Sequence, residues 1–257
     1  MTPENCIKEI KNWTLKNKLA LNDSKTEVIH LSSRFSATVP VPSINVGDSV
    51  VKTVTQAKDL GVIIDQHLTL VPHVNNISRL ASHSIRKIGR IRKYLDRNST
   101  EKLVHAFVSS RLDSNNSILY GLPDFHICKL QRIQNAAARL VTLTKKREHI
   151  SPVLKELHWL PLESRIVYKL MLLTFKALNN QAPKYLCDLI SIKEPTRSLR
   201  SNASVVLHRR KANLVTYGQR SFFYAAPELW NRLPSHVKNA TSLQQFKRVL
   251  KTHLFSK

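Results

Sequence analysis

A chain of 257 residues, 42% of them apolar, is long enough to bury one large core or two small ones, which excludes wholesale disorder. Its formal charge of +24 at pH 7, from 41 Lys/Arg against 17 Asp/Glu, excludes a charge-balanced surface and points to a polyanionic partner, because solubility does not require a single sign of charge. Three widely spaced cysteines, no apolar leader core and no apolar run long enough to span a bilayer argue against a disulfide framework, a zinc site, secretion or a membrane span, so an intracellular protein is expected.

The charge is unevenly placed. Residues 1–65 hold 8 Lys/Arg against 7 Asp/Glu, residues 66–150 hold 15 against 5, and residues 151–257 hold 18 against 5. Only five glycines occur, as expected of a largely helical chain, since each interior Gly costs a helix about 1 kcal/mol.

In chain order, Thr2 as N-cap, Pro3 at the first helical position and Glu4 beside the positive helix end predict an opening helix. Its Cys6, Ile10 and Trp13 recur at i, i+4 and i+7 and are expected to pack. Residues 25–31 and 44–64 carry β-branched runs and predict three or four short strands, with a turn at Gly47-Asp48. Beyond Asp65 the period becomes helical. Over residues 72–95, Val74, Ile77, Ala81, Ile85, Ile88 and Ile91 form one buried stripe. Arg79, Arg86, Arg90, Lys93 and Arg97 share a second face. Solvated faces usually interleave acids with bases, and this one has no acid before Asp96, so it reads as a row able to follow a phosphate backbone.

Helices follow at about 99–119 and 125–143, and with the preceding one they make a bundle. After a boundary near residue 150 come helices at about 152–157, 162–179 and 183–190. Residues 191–220 carry Arg197, Arg200, Arg209, Arg210, Lys211 and Arg220 without steady periodicity, as in a basic arm that is not ordered without its partner. The closing helix is announced by Ser242 and Gln245 in capping-box spacing, with Leu243, Phe246 and Leu250 on one face.

Several motifs stand in one order along the chain. Trp13 precedes Asn17-Lys18-Leu19-x-Leu21-Asn22-x-x-Lys25-Thr26, and Leu60-Gly61-Val62-x-x-Asp65 is followed by His73. Downstream stand the runs Leu130 to Leu140, Leu157-His158-Trp159-Leu160-Pro161, Arg197-x-Leu199-Arg200-Ser201, and Ala226-Pro227-x-Leu229-Trp230-Asn231-x-Leu233-Pro234, then Phe246-Lys247. Taken together they resemble the reverse transcriptases of non-LTR, LINE-type retrotransposons of the jockey-like kind, from the end of the palm through the thumb and C-terminal region.

That resemblance implies an α+β, mainly α fold. A small antiparallel palm remnant would span residues 1–68, a basic helical thumb-like bundle 69–150, and a basic helical C-terminal region 151–257. It makes Leu60, Gly61 and Val62 a primer-grip-like hairpin, Lys25 the cation facing the leaving pyrophosphate, and the helix of Arg79 to Arg97 a thumb helix lying along a template–primer duplex of RNA and/or DNA. Gly61 suits close backbone approach, and a strand bulge accounts for it equally well. The family's magnesium pair is held by an early Asp and an Asp-Asp hairpin, both upstream of the matched region; no Asp-Asp occurs here, and Asp23, Asp48, Asp59 and Asp65 are isolated. The expectation is therefore a truncated piece with no catalytic residues, no cofactor and no polymerase activity, retaining at most non-specific RNA or DNA binding. A domesticated basic module that binds nucleic acid is the alternative. No nucleophile–base set or Gly-rich phosphate loop supports another enzyme class.

Overall fold

The computed structural model describes residues 3–22, 25–35, 44–46, 49–51, 53–193 and 205–256. Thr2, Asp23, Gly47, Asp48, Arg197, Leu199, Arg200 and Ser201 lie outside the described residues. The chain forms two compact units, residues 1–73 and 74–257. It is mainly helical with small β-pairs, and no helix among the described residues is long and apolar enough to cross a membrane.

The first unit holds α1 (Pro3–Lys16), then β1 (Val28–Ile29), β2 (Ile44–Val46), β3 (Ser49–Val51), β4 (Thr53–Val54), β5 (Gln56–Asp59) and β6 (Val62–Asp65). β2–β3 and β5–β6 pair antiparallel, whereas β1–β4 pair parallel; the long stretch of chain between β1 and β4 allows that arrangement. The face expected of α1 does not pack: Cys6, Ile10 (47% exposed) and Trp13 (61%) all face solvent, while α1 contacts β2 and its half-buried positions are Ile7, Lys11 and Thr14, a period the apolar spacing did not single out. The end of α1 is well made: Lys18 takes a left-handed conformation (φ 57°) while its N–H reaches Leu15 O and the Leu19 N–H reaches Thr14 O, a Schellman cap.

The second unit begins inside α2 (Val71–Ile91) and continues through α3 (Arg97–Val104), α4 (Ser110–Asp113), α5 (Asp124–Thr142), α6 (Ile150–Glu156), α7 (Leu162–Leu178), α8 (Lys184–Cys187), α9 (Phe222–Asn231), α10 (Ser235–Lys238) and α11 (Leu243–Phe255). The helix expected at 72–95 stops sooner. A 3-10 turn covers Arg92–Tyr94, and Asp96 then caps α3 by accepting from the Ser99 N–H at 2.9 Å. The helix expected at 99–119 is likewise broken by a π-turn at His105–Ser109 and by Asn115, left-handed at φ 51°. Residue 150 lies inside this unit, where α5 packs on both α6 and α7.

α7 is the hub of the core, touching α5, α8, α9 and α11. Phe246 of α11 stacks on Phe175 of α7 (ring centroids 4.3 Å) and on Trp230 of α9 (5.8 Å). Each such ring contributes about 1.5–3 kcal/mol by leaving water. In the stripe on α2, Val74, Ile77, Ala81 and Ile88 are buried, but Ile91 at the helix end is 46% exposed. Ser242 accepts from the Gln245 N–H (3.2 Å) as the capping-box spacing predicts, and Gln245 reaches back to the Thr241 N–H, one residue earlier than the motif places it.

Of the expected arm, residues 191–193 and 205–220 are described, and the stretch from Val205 to Leu207 is docked. The Trp230 indole donates to Val205 O, and the Asn231 amide both donates to Leu207 O and accepts from Leu207 N–H. Leu207 is 1% exposed and bridges Ile192. The downstream motifs serve this architecture. Gln131 accepts from Leu162 N–H at 2.7 Å and Gln134 donates to Leu160 O at 2.8 Å, so the run 130–140 is tied to the run 157–161.

Candidate nucleic-acid interface

In the first unit, β5 and β6 form a hairpin closed by a two-residue turn, with Leu60 at φ 44° and Gly61 at φ 89°. Two positive φ angles in succession match the twist of antiparallel strands, which explains the Gly and removes the need for a bulge. Apart from its two chain neighbours, no atom of the described residues lies within 4 Å of where a Gly61 Cβ would stand. Leu60 is unusual on two counts: an L side chain in left-handed backbone, and an apolar one 90% exposed at the tip. Val62 pairs with Asp59 at the start of β6 and is half-buried.

Asp65 closes the hairpin's far end. Its carboxylate accepts from the Thr69 N–H (3.0 Å) and hydroxyl (2.9 Å) and from the Leu70 N–H (2.7 Å), fixing a tight loop in which Leu68 and Leu70 are both left-handed. Burial opposes its charged form, but these bonds together with the His67 N–H outweigh it and hold the carboxyl below its ordinary value. His73 is buried and accepts from Ile63 N–H through Nδ1 at 3.4 Å; burial lowers its pKa, so the ring sits neutral.

Lys25 is exposed, in a turn built by its neighbours: its N–H reaches Asn22 Oδ1 (3.2 Å) and the Thr26 hydroxyl reaches Asn22 O. The Asn17 amide likewise donates to Trp13 O. In this stretch the motif asparagines therefore shape backbone, while Lys25, like Lys18, stands exposed as a cation.

In the second unit, Arg79, Arg86 and Arg90 of α2 are all exposed. At 3.6 residues per turn they fall within about 40° of one another, with axial separations of about 10 Å and 6 Å. α2 contains no Asp or Glu. The Arg79 guanidinium donates to Asn76 Oδ1 (3.2 Å). Lys93 extends the row from the 3-10 turn with its ammonium 4.8 Å from the centroid of Tyr94, a ring 76% exposed. Arg97 departs from the row. The helix break places it on α3, where it pairs with Glu156 at 2.5 Å.

Three-dimensional packing adds and removes cations in ways the heptad-like spacing does not show. Lys129 of α5 reaches Asn75 Oδ1 of α2 at 2.7 Å, one turn before Arg79, and exposed Lys87 neighbours Arg86. Arg92 is withdrawn: it donates to Leu140 O (2.9 Å), Val141 O (3.1 Å) and Leu95 O (2.7 Å), covering carbonyls at the end of α5 where Leu143 turns left-handed. At 3.6 residues per turn Arg92 already lies well off the face of Arg79, Arg86 and Arg90, and the position of α5 decides what it bonds.

Asp59 is exposed at the end of β5, Asp65 is occupied by its loop, and among the described residues no three His, Cys, Asp or Glu side chains are grouped to hold a metal. Comparison with protein-family models, with curated proteins and with solved structures finds no match to this chain.

Proposed function

We propose that this chain holds nucleic acid by its phosphates, as the palm edge and thumb of a non-LTR retrotransposon reverse transcriptase would hold a template–primer duplex, and performs no chemistry on it. The observation that carries this reading is the acid-free, exposed row Arg79, Arg86 and Arg90 on α2, extended by Lys93 and flanked by Lys87 and Lys129. Such a row neutralises phosphates without reading bases, so RNA–DNA hybrid and duplex DNA are both ligands and salt weakens both. Leu60 at the exposed hairpin tip and Lys25 are the contacts assigned to the first unit, and Tyr94 offers a face on which an unpaired base stacks.

Fluorescence anisotropy of a labelled RNA–DNA duplex, titrated at rising salt, tests the proposal. The expected result is sequence-independent binding whose affinity falls steeply with salt. Absence of binding at low salt, or an affinity indifferent to salt, overturns it.

A further inference from the structure

α5 runs beside the basic row of α2, and the contacts between the two helices fix how its own cations face. Near the start of α2, Lys129 of α5 donates to Asn75 Oδ1 at 2.7 Å. Just past its end, Arg92 donates to the carbonyls of Leu140 and Val141, and the Leu140 side chain lies 3.9 Å from where a Gly89 Cβ would stand. Residues 75–92 and 129–141 therefore lie side by side and point the same way, both within the second unit.

At about 100° per residue, Arg79, Arg86 and Arg90 stand about 20–60° round α2 from Asn75 in one sense. Arg132 stands about 60° round α5 from Lys129 in the opposite sense. For helices that point the same way, opposite rotations from the line joining them lead to the same side. Arg132, which is exposed, thus comes out on the face that carries the α2 row. Neither helix adds a carboxylate there: α2 has no acid, and the one acid of α5, Asp124, is the first residue of the helix, about 12 Å along its axis from Arg132.

We infer that α5 is a second rail of the phosphate-holding face, with Lys129 and Arg132 as its contacts, and that the face takes a double strand. One strand lies along Arg79, Arg86 and Arg90, and the other lies along α5. This rests on the reading of the α2 row as a phosphate-binding row and adds to it the number of strands held. Neighbouring helix axes are about 10 Å apart and the minor groove of B-DNA is about 6 Å wide, so the phosphates on its two walls come within reach of the two rows. A single strand has one line of phosphates and follows the longer rail, α2. One row of solvated cations holds either form alike; the second row, set in place by the Lys129–Asn75 bond, tells them apart.

The variant Lys129→Gln/Arg132→Gln, whose side chains are exposed and whose fold is checked by circular dichroism, tests this against wild type. Anisotropy is followed with a labelled DNA duplex and with an unstructured single strand, each over a range of salt. For the duplex, the slope of log K against log salt is expected to fall in magnitude by about 1.8, at about 0.9 per phosphate, which is a loss of about 60-fold at 0.1 M salt. The single-strand slope is expected to stay as in wild type, whereas Arg86→Gln/Arg90→Gln lowers both. A duplex slope unchanged in the α5 variant, or a single strand weakened as much as the duplex, overturns the inference and leaves the α2 reading standing. A wild-type chain that binds neither form overturns both.

Discussion

Replacing Arg86, Arg90 and Lys93 together by Gln isolates the electrostatic part of the proposed interface. All three side chains are exposed, and neither arginine has an ion-pair partner among the described residues, so each single change is expected to alter stability by less than about 0.5 kcal/mol. If each cation neutralises one phosphate of B-form DNA, the slope of log K against log salt is reduced in magnitude by about 2.7, at about 0.9 per phosphate. That slope corresponds to a loss of about 500-fold at 0.1 M salt, shrinking toward nothing near 1 M, because released counterions gain less entropy in concentrated salt. The assay is anisotropy of a labelled duplex from 50 to 300 mM NaCl, on wild type and triple variant, with two unrelated sequences. A slope unchanged by the substitutions shows that α2 does not carry the phosphate contacts. A loss confined to one sequence shows base reading in place of backbone tracking.

Arg92→Ala is expected to behave oppositely, lowering stability by about 2–3 kcal/mol in urea denaturation while its loss as a cation matters little for duplex affinity, because three carbonyl acceptors lose a charged donor. Leu60→Asn relieves left-handed strain in the β5–β6 turn and is expected to raise stability by about 0.5–1 kcal/mol, while weakening duplex binding if the apolar tip contacts the ligand. Asp65 has a folded-state pKa below its ordinary value of 3.8, so the stability it contributes is present above that value and is lost as pH falls through the lower one. Acid unfolding of wild type, followed by circular dichroism, is expected to show this loss below about pH 4, and Asp65→Ala, which removes the charged acceptor, to abolish it. His73 gives a second window: its neutral buried ring loses stability as pH falls below 6.5, and His73→Gln flattens the profile there.

Composition, charge placement and the 3.6-residue period determined much of this protein without coordinates. The helices α5, α6, α7 and α11, the cap at Ser242 and the cation spacing of Arg79, Arg86 and Arg90 are local properties of backbone geometry and nearest neighbours, and these are legible along a chain, whereas α9 and α10 were not expected and the Leu60-Gly61 hairpin was implied only by the resemblance. What depends on distant partners was not legible. Ile10 and Trp13 carry a packing period yet stand exposed, because the contact with β2 leaves Ile7, Lys11 and Thr14 as the half-buried positions of α1. Arg97 looks like a member of the basic row, but the helix break and Glu156 claim it, while Lys129 joins the row from α5. Arg132 comes out on the same face because the Lys129–Asn75 bond sets α5 beside α2, a placement that no motif announces. Which cations face solvent and which close a helix is a matter of tertiary distance, since a guanidinium donates to whichever carbonyl or carboxylate the fold brings within reach.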